Sequence, residues 1–326
     1  MNELSKLLLT GGTGFFGRAL LRNLAARQRS GLGVPSVTVV TRYPDAFREG
    51  HPEFLNLPWL QLQSGNVCEP QALPKRIAFT HIIHAAADST LGPKLSPLER
   101  YDQIVRGTRN LLDLGVACGA KRFLLISSGA VYGVQPPHLD ALPETWQGMP
   151  DPLNPANAYG VAKRTAEHLC ALYGGSSGLQ TVVARCFAFL GRDLPMDAHF
   201  AIGNFIQSAL LADAITVAGD GTSLRTYMDQ HDLADWLLRL LEHGKSGEAY
   251  NVGGEEIVSV GELAYLIRDL LAPGKPINIL RNFADSQVRN RYVPDIRKAR
   301  EELGLRVRIP LAEAIMRTAQ SRESSR

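Results

Sequence analysis

A glycine-rich turn near the start of the chain restricts the fold more than any other segment. Residues 10–17 read TGGTGFFG and follow a short apolar run, 6–10, that is typical of a buried strand. The next stretch, 18–29, has the apolar spacing of a helix. Glycines in such a turn allow a pyrophosphate to approach the backbone, and the helix N-terminus attracts its negative charge. The sequence therefore predicts a dinucleotide site formed by Gly11, Gly14, Phe15, Phe16 and Gly17.

Apolar and helical segments alternate over the first 130 residues. Apolar runs at 36–41, 81–86 and 121–127 are separated by helical stretches such as 98–118. Near-continuous apolar strands that alternate with helices are typical of a parallel sheet covered on both faces. This pattern predicts a doubly wound α/β domain over residues 1–189, with later return segments near 222–267. Residues 190–326 lose the regular alternation, so we expect a smaller, mixed α/β lobe there.

Composition excludes several classes of protein. The 326 residues carry 35 Lys and Arg against 32 Asp and Glu, and this near-balance argues against a nucleic-acid-binding protein. No apolar run approaches the roughly 20 residues of a membrane span. The N-terminus lacks the pattern of a secretory signal, and the four scattered cysteines form no metal-binding spacing. We expect a cytoplasmic protein with reduced cysteines, no metal and no membrane partner.

The end of the second predicted strand bears on the choice of cofactor. An acidic residue at this point would bind the adenosine ribose hydroxyls, whereas an arginine suits a 2′-phosphate. The chain has Thr41 and Arg42 here, and the nearest acidic residue is Asp45. The sequence thus favours NADP over NAD, with a solvated loop charge as the other interpretation of Arg42.

Two further segments predict acid–base chemistry. Ser128 lies where a predicted strand ends, and Tyr159 and Lys163 share one face of a predicted helix because they are four residues apart. A free tyrosine has a pKa near 10, and a neighbouring ammonium is expected to lower it. Tyr159 is the predicted general acid/base, Lys163 its electrostatic partner and a ribose ligand, and Ser128 a hydrogen-bonding group for the reacting oxygen.

The motifs TGGTGFFG, HAAAD, SSGAVYG, YGVAK and RTYMDQHDLA occur in the order found in a known family. The chain resembles the extended short-chain dehydrogenase/reductases and, within them, the nucleotide-sugar epimerase/dehydratase family. This resemblance implies a Rossmann domain followed by a smaller nucleotide-sugar domain. It also implies a homodimer joined through the helices near 98–118 and 157–173.

The resemblance assigns further site residues by position. The loop beneath the cofactor corresponds to His84, Ala85, Ala86 and Ala87, and the adenine contact to Asn66 and Val67. On the substrate side, Asn204 matches a nucleotide-contacting segment and Arg225 a diphosphate-binding arginine. Either of two later arginines, Arg289 or Arg291, is a candidate for a second diphosphate contact.

Departures from the family pattern limit which reactions are expected of this chain. Dehydratases of the family usually have an Asp-Glu pair after the catalytic Ser/Thr, but here those positions are Gly129 and Ala130. Neither side chain can transfer a proton, so a 4,6-dehydratase of the usual kind is not expected. Two asparagines of the family are also replaced, by Ile104 and Ala188.

The favoured function is therefore a nucleoside-diphosphate-sugar 4-ketoreductase that uses NADPH. A 4-epimerase that retains its cofactor is the alternative. A non-catalytic protein that senses NAD(P) is a third possibility from another class, and the presence of Tyr159 and Lys163 argues against it.

Overall fold

The apolar runs predicted as strands lie side by side in one sheet. The computed structural model describes residues 4–87, 95–196, 200–281 and 290–323. Its central sheet has seven strands in the order β11-β6-β5-β4-β1-β2-β3, and the pairings from β3 through β6 are parallel. The strands are β1 (Lys6–Thr10), β2 (Ser36–Thr41), β3 (Leu60–Ser64), β4 (His81–His84), β5 (Arg122–Ser128), β6 (Gln180–Cys186), β7 (Phe189–Leu190), β8 (Ile215–Val217), β9 (Leu224–Arg225), β10 (Met228–Asp229), β11 (Ala249–Val252), β12 (Val258–Ser259), β13 (Ile277–Ile279) and β14 (Arg291–Tyr292).

Helices follow most of the central strands, as the alternation predicted. They are α1 (Phe15–Arg29), α2 (Pro44–Gly50), α3 (Pro97–Ala117), α4 (Ala158–Ser177), α5 (Ala201–Leu211), α6 (Gln230–His243), α7 (Val260–Leu271), α8 (Arg297–Leu303) and α9 (Leu311–Glu323). The strand order and the alternation of strands with helices confirm the predicted doubly wound, Rossmann-like α/β fold.

The core of the sheet explains why its central strands are apolar. Leu7, Leu8 and Leu9 of β1 have no exposed surface, and β4 and β5 are buried along almost their whole length. Helices α3 and α4 cover one face of the sheet with side chains such as Leu111 and Ala166. Burial of this kind contributes roughly 25 cal/mol per Å² of apolar surface, so the sheet provides a rigid support for residues at its strand ends.

The chain divides into two units whose boundaries differ from the predicted ones. The first unit contains Met1–Val131, Met149–Cys186 and Ala234–Tyr250, and the second contains Tyr132–Gly148, Phe187–Leu233 and Asn251–Arg326. The predicted boundary at 189/190 places residues 132–148 in the first domain, whereas the structure groups them with the second unit. The segment that returns to the first unit is 234–250, shorter than the predicted 222–267.

A buried hydrogen-bond network accounts for the placement of residues 132–148. The Tyr132 hydroxyl donates to Oδ1 of Asn251 at 2.8 Å, and the Asn251 backbone N–H donates to Oε1 of Glu144 at the same distance. The Asn251 amide also donates to the carbonyl oxygens of Leu142 and Asp295. Because each buried polar group depends on the others, this segment is fixed within the second unit.

The second unit is built from short strands and packed helices. Strands β9, β12 and β14 form one small sheet, β8 pairs with β13, and β7 pairs with β10. The apolar segment 180–190 forms two separate strands, β6 and β7. Among the residues that the structure describes, no helix is long and apolar enough to cross a membrane.

Candidate active site

The glycine turn joins β1 to α1 as predicted, and two of its glycines are required by packing. Gly11 has a φ of +71°, and a Cβ there would lie 2.5 Å from the carbonyl group of Ala85. A Cβ on Gly17 would lie 2.2 Å from the Cα of Gly12. These positions need glycine because the backbone itself occupies the space of a side chain.

Gly14 has a different environment, and it tests whether the turn fits a dinucleotide. A Cβ built on Gly14 would meet only the carbonyl oxygen of Gly11, at 3.4 Å, among the described residues. Gly14 is the N-cap of α1, and neither a capping side chain nor an acidic residue occupies the first turn. The protein leaves space and a positive helix end at one point, which is what a pyrophosphate requires.

Arg42 directly follows β2, and its charge faces solvent. Its guanidinium lies 5.7 Å from the ring centroid of Tyr43. The nearest acidic residue in sequence, Asp45, is paired with Arg48 at 2.7 Å. The Asp45 carboxylate therefore forms its ion pair with Arg48 rather than with Arg42.

The remaining residues assigned to the cofactor lie at the same edge of the sheet. Ala85, Ala86 and Ala87 continue from the end of β4, and the Ala85 N–H donates to Thr10 in β1. Asn66 follows β3, where its side chain accepts from the Cys68 N–H and donates to Glu69. The carbonyl of Val67 accepts from Asn110 of α3, a contact that the sequence did not predict.

Ser128, Tyr159 and Lys163 come together in the first unit. Ser128 ends β5, and its hydroxyl is hydrogen-bonded to that of Tyr159. Lys163 is 3% exposed, donates from Nζ to the carbonyl oxygen of Ile126 at 2.7 Å, and lies 6.0 Å from the ring centroid of Tyr159. The helix spacing thus places a phenol, a hydroxyl and an amine around one strand end.

The electrostatics differ from the sequence-based expectation that Lys163 lowers the pKa of Tyr159. Burial raises the pKa of Tyr159 to about 12, while the Ser128 hydrogen bond and the charge of Arg100 act in the opposite direction. Burial also lowers the pKa of Lys163 to about 8. The expectation was wrong for this arrangement because desolvation of the phenol outweighs the Ser128 hydrogen bond and the charge of Arg100. At neutral pH the tyrosine is protonated and most of the lysine is charged.

His84 is a buried neighbour of these groups. It is 3% exposed, its Nδ1 lies 2.8 Å from the Thr10 hydroxyl, and burial together with the charge of Lys163 lowers its pKa to about 3. His84 is therefore neutral at physiological pH.

Arg100 is a site residue that the sequence analysis missed. It lies in the first turn of α3, where a capping box between Ser96 and Glu99 fixes the helix start. Its guanidinium carbon lies 5.8 Å from the ring centroid of Tyr159. No local pattern indicated this contact, because it depends on the packing of α3 against α4.

The predicted substrate residues lie in the second unit, and the structure brings two of them together. β9 pairs with β14, which places Arg225 opposite Tyr292 and next to Arg291 along the neighbouring strand. Arg225 lies 5.9 Å from the Tyr292 ring and donates to the carbonyl of Leu224. Arg291 is paired with the exposed Asp140 at 2.6 Å.

Two other predicted substrate residues have no described contact with this pair. Asn204 is exposed on α5. Arg289 lies outside the described residues. Among the described residues, no group of three or more His, Cys, Asp or Glu side chains could hold a metal ion.

Comparison with protein families and with other proteins identifies relatives of this chain. The model of the NAD dependent epimerase/dehydratase family matches residues 7–253. UDP-glucuronic acid decarboxylase 3 of Arabidopsis thaliana is 30% identical over 311 residues, which cover 95% of this chain and 86% of that protein. UDP-glucuronic acid decarboxylase 1 of Danio rerio is 32% identical over 97% of this chain and 72% of its own length.

Solved structures share the fold over nearly the whole chain. A dTDP-glucose 4,6-dehydratase of Streptomyces venezuelae, solved with NAD, has a TM-score of 0.84 at 24% identity and covers 98% of both chains. UDP-glucose 4-epimerase of Thermotoga maritima has a TM-score of 0.81 at 24% identity, covering 98% of this chain and 99% of its own. The chain therefore belongs to the NAD dependent epimerase/dehydratase family and is an enzyme of the extended short-chain dehydrogenase/reductase type.

Proposed function

We propose that the protein is an NAD(P)-dependent oxidoreductase that acts at the 4-position of a nucleoside-diphosphate sugar, with reduction of a 4-ketone as its reaction. The observation that carries this proposal is the group formed by Ser128, Tyr159 and Lys163 at the end of β5. Relatives and structural neighbours that act on UDP-glucose or UDP-glucuronic acid support the substrate class.

The residues of the chain divide the work of such a reaction. The glycine turn and the end of β2 would hold a nicotinamide cofactor, which would supply hydride to the carbonyl carbon. Tyr159 would donate its phenolic proton to the carbonyl oxygen, and Ser128 would orient that oxygen by a hydrogen bond. Lys163 would bind the cofactor ribose, and the Ser128 hydroxyl together with the charge of Arg100 would stabilise the phenolate left on Tyr159.

Tyr159 is suited to donate a proton to a ketone. Burial raises the pKa of the phenol, which therefore holds its proton at neutral pH, the state needed for that step. The residues after Ser128, Gly129 and Ala130, offer no second proton-transferring side chain. The lack of a proton-transferring side chain at these two positions suits hydride transfer coupled to a single proton transfer.

The removal of the Tyr159 hydroxyl tests this proposal. Tyr159→Phe is expected to lower kcat by about 100-fold or more, because a positioned general acid contributes this much. The measurement is NADPH or NADH oxidation with a panel of 4-keto UDP-, dTDP-, CDP- and GDP-sugars. Tyr173→Phe is the matched control, since it removes the same atom from the same helix, where the hydroxyl donates to Asp113 at 2.5 Å. Near-normal turnover by Tyr159→Phe would contradict the assignment.

A 4-epimerase is the second candidate, favoured by the likeness to UDP-glucose 4-epimerase over 98% of the chain. An epimerase retains its cofactor, while a reductase exchanges it at every turnover. Absorbance of the purified protein in the reduced-nicotinamide band, before and after borohydride, separates them. A tightly held oxidised cofactor would refute the reductase and support the epimerase.

A further inference from the structure

One carboxylate connects three elements next to the proposed acid/base group. Glu167 lies one helical turn after Lys163 in α4, and its side chain is 10% exposed. It accepts a hydrogen bond from the Ser127 hydroxyl at 2.6 Å. It also pairs with Arg185, whose Nη2 and Nε donate at 2.7 Å and 3.1 Å.

The sheet register places these contacts beside the residues that act. Ser127 of β5 is paired with Arg185 of β6, and the next pair along the two strands is Ser128 with Cys186. Glu167 therefore contacts both strands one residue before Ser128. Its own helix carries Tyr159 and Lys163 two turns and one turn earlier.

A largely buried ion pair at this point needs an explanation other than stability. Taking two charges out of water costs several kcal/mol, and apolar side chains of similar size often stabilise a fold as well or better. We propose that Glu167, held by Arg185 and Ser127, is a positioning residue that fixes α4 against the end of β5 and keeps a negative charge one helical turn from the Lys163 ammonium. This inference rests on the proposed function of Tyr159 and Lys163.

The groups around Lys163 determine how the negative charge of Glu167 acts on the pKa of that lysine. His84 faces Lys163 from β4 and Cys186 faces it from β6. Cys170 and Glu167 lie on the same helix as Lys163, and β5 contributes the Ile126 carbonyl. Burial lowers the pKa of Lys163, and Cys186, Glu167 and Cys170 raise it. Burial raises the pKa of both thiols, so they are uncharged at neutral pH. Glu167 is the carboxylate of the set.

The first test follows the Lys163 ammonium itself and needs no substrate. Lysine ¹⁵Nζ NMR, with the signal assigned by its loss in Lys163→Met, gives the pH at which Lys163 titrates. In Glu167→Gln this pH is expected to fall by about one unit, the scale of an opposite charge near a titrating group. The alkaline limit of kcat should move down by the same amount. Glu313→Gln, which opens an exposed ion pair with Arg317 on α9, is the control and should leave both values unchanged.

The second test separates positioning from charge. Ser127→Ala removes one hydrogen bond and leaves the Glu167–Arg185 pair, so the Lys163 titration should persist while kcat falls about fivefold with KM little changed. Ser127→Ala also tests the positioning role if Glu167→Gln does not fold. An unchanged Lys163 titration in Glu167→Gln, or wild-type kcat in Ser127→Ala, would overturn the inference. Because the NMR titration is independent of turnover, failure of the proposed reaction would be recognised separately by Tyr159→Phe.

Discussion

Arg42 shows how much a single charge depends on its neighbours. An exposed arginine at the end of β2 suits the 2′-phosphate of NADP only if no carboxylate repels that phosphate. Asp45, the nearest acidic residue in sequence, is held by Arg48 at 2.7 Å. We therefore propose NADP as the preferred cofactor.

Replacement of Arg42 is expected to change cofactor preference. Arg42→Ala should weaken NADPH binding about tenfold, the scale of one charge-assisted hydrogen bond, and leave NADH binding unchanged. Fluorescence titration with both cofactors measures the two affinities. Arg29→Ala removes the same charge at the far end of α1 and should change neither. Equal losses for NADPH and NADH in Arg42→Ala would argue against a 2′-phosphate contact.

At the scale of elements, the strand–turn–helix unit at residues 6–29 separates glycines needed for folding from a glycine needed for binding. Gly17→Ala would place a Cβ 2.2 Å from the Cα of Gly12, so we expect a loss of unfolding free energy of about 3 kcal/mol. Gly14→Ala meets only an ordinary contact at 3.4 Å and should remain nearly as stable as the wild type. It should instead weaken dinucleotide binding severalfold, because the methyl group lies where a pyrophosphate would approach.

Urea unfolding and cofactor titration on both variants provide the measurement. If Gly14→Ala loses as much stability as Gly17→Ala, the space at Gly14 is needed by the protein itself. If it keeps full cofactor affinity, the turn does not hold the pyrophosphate at Gly14.

At the scale of elements, features set by neighbouring residues could be predicted from the sequence, and features set by packing between elements could not. The glycine turn and the Tyr159–Lys163 pair depend on neighbours within a few residues, so strand and helix periodicity located both. Arg100 and Arg185 reach the site from other elements, and no local pattern reports such packing. The rise in the pKa of Tyr159 was missed for the same reason, since burial is a property of the folded chain. Glu167 was accessible, because it continues the four-residue spacing of Tyr159 and Lys163.

At the scale of the whole molecule, helices α3 and α4 keep apolar side chains on their outer surfaces. Leu98 and Val116 of α3 are 70% and 43% exposed and are separated by 18 residues, which is five helical turns and returns to the same side. Leu172 of α4 is 53% exposed. Helices α3 and α4 pack against each other within one protomer, and apolar positions left on their surface are suited to a second copy of the chain.

We expect a homodimer formed through this surface. Light scattering should give a mass of twice 35.6 kDa for the wild-type chain. Leu98→Glu combined with Leu172→Glu should shift it to the monomer, because like charges would have to be buried unpaired in the interface. Leu211→Lys, which alters a comparably exposed leucine on α5, should leave the dimer intact. A wild-type monomer, or a dimer that survives the double change, would place the association surface elsewhere.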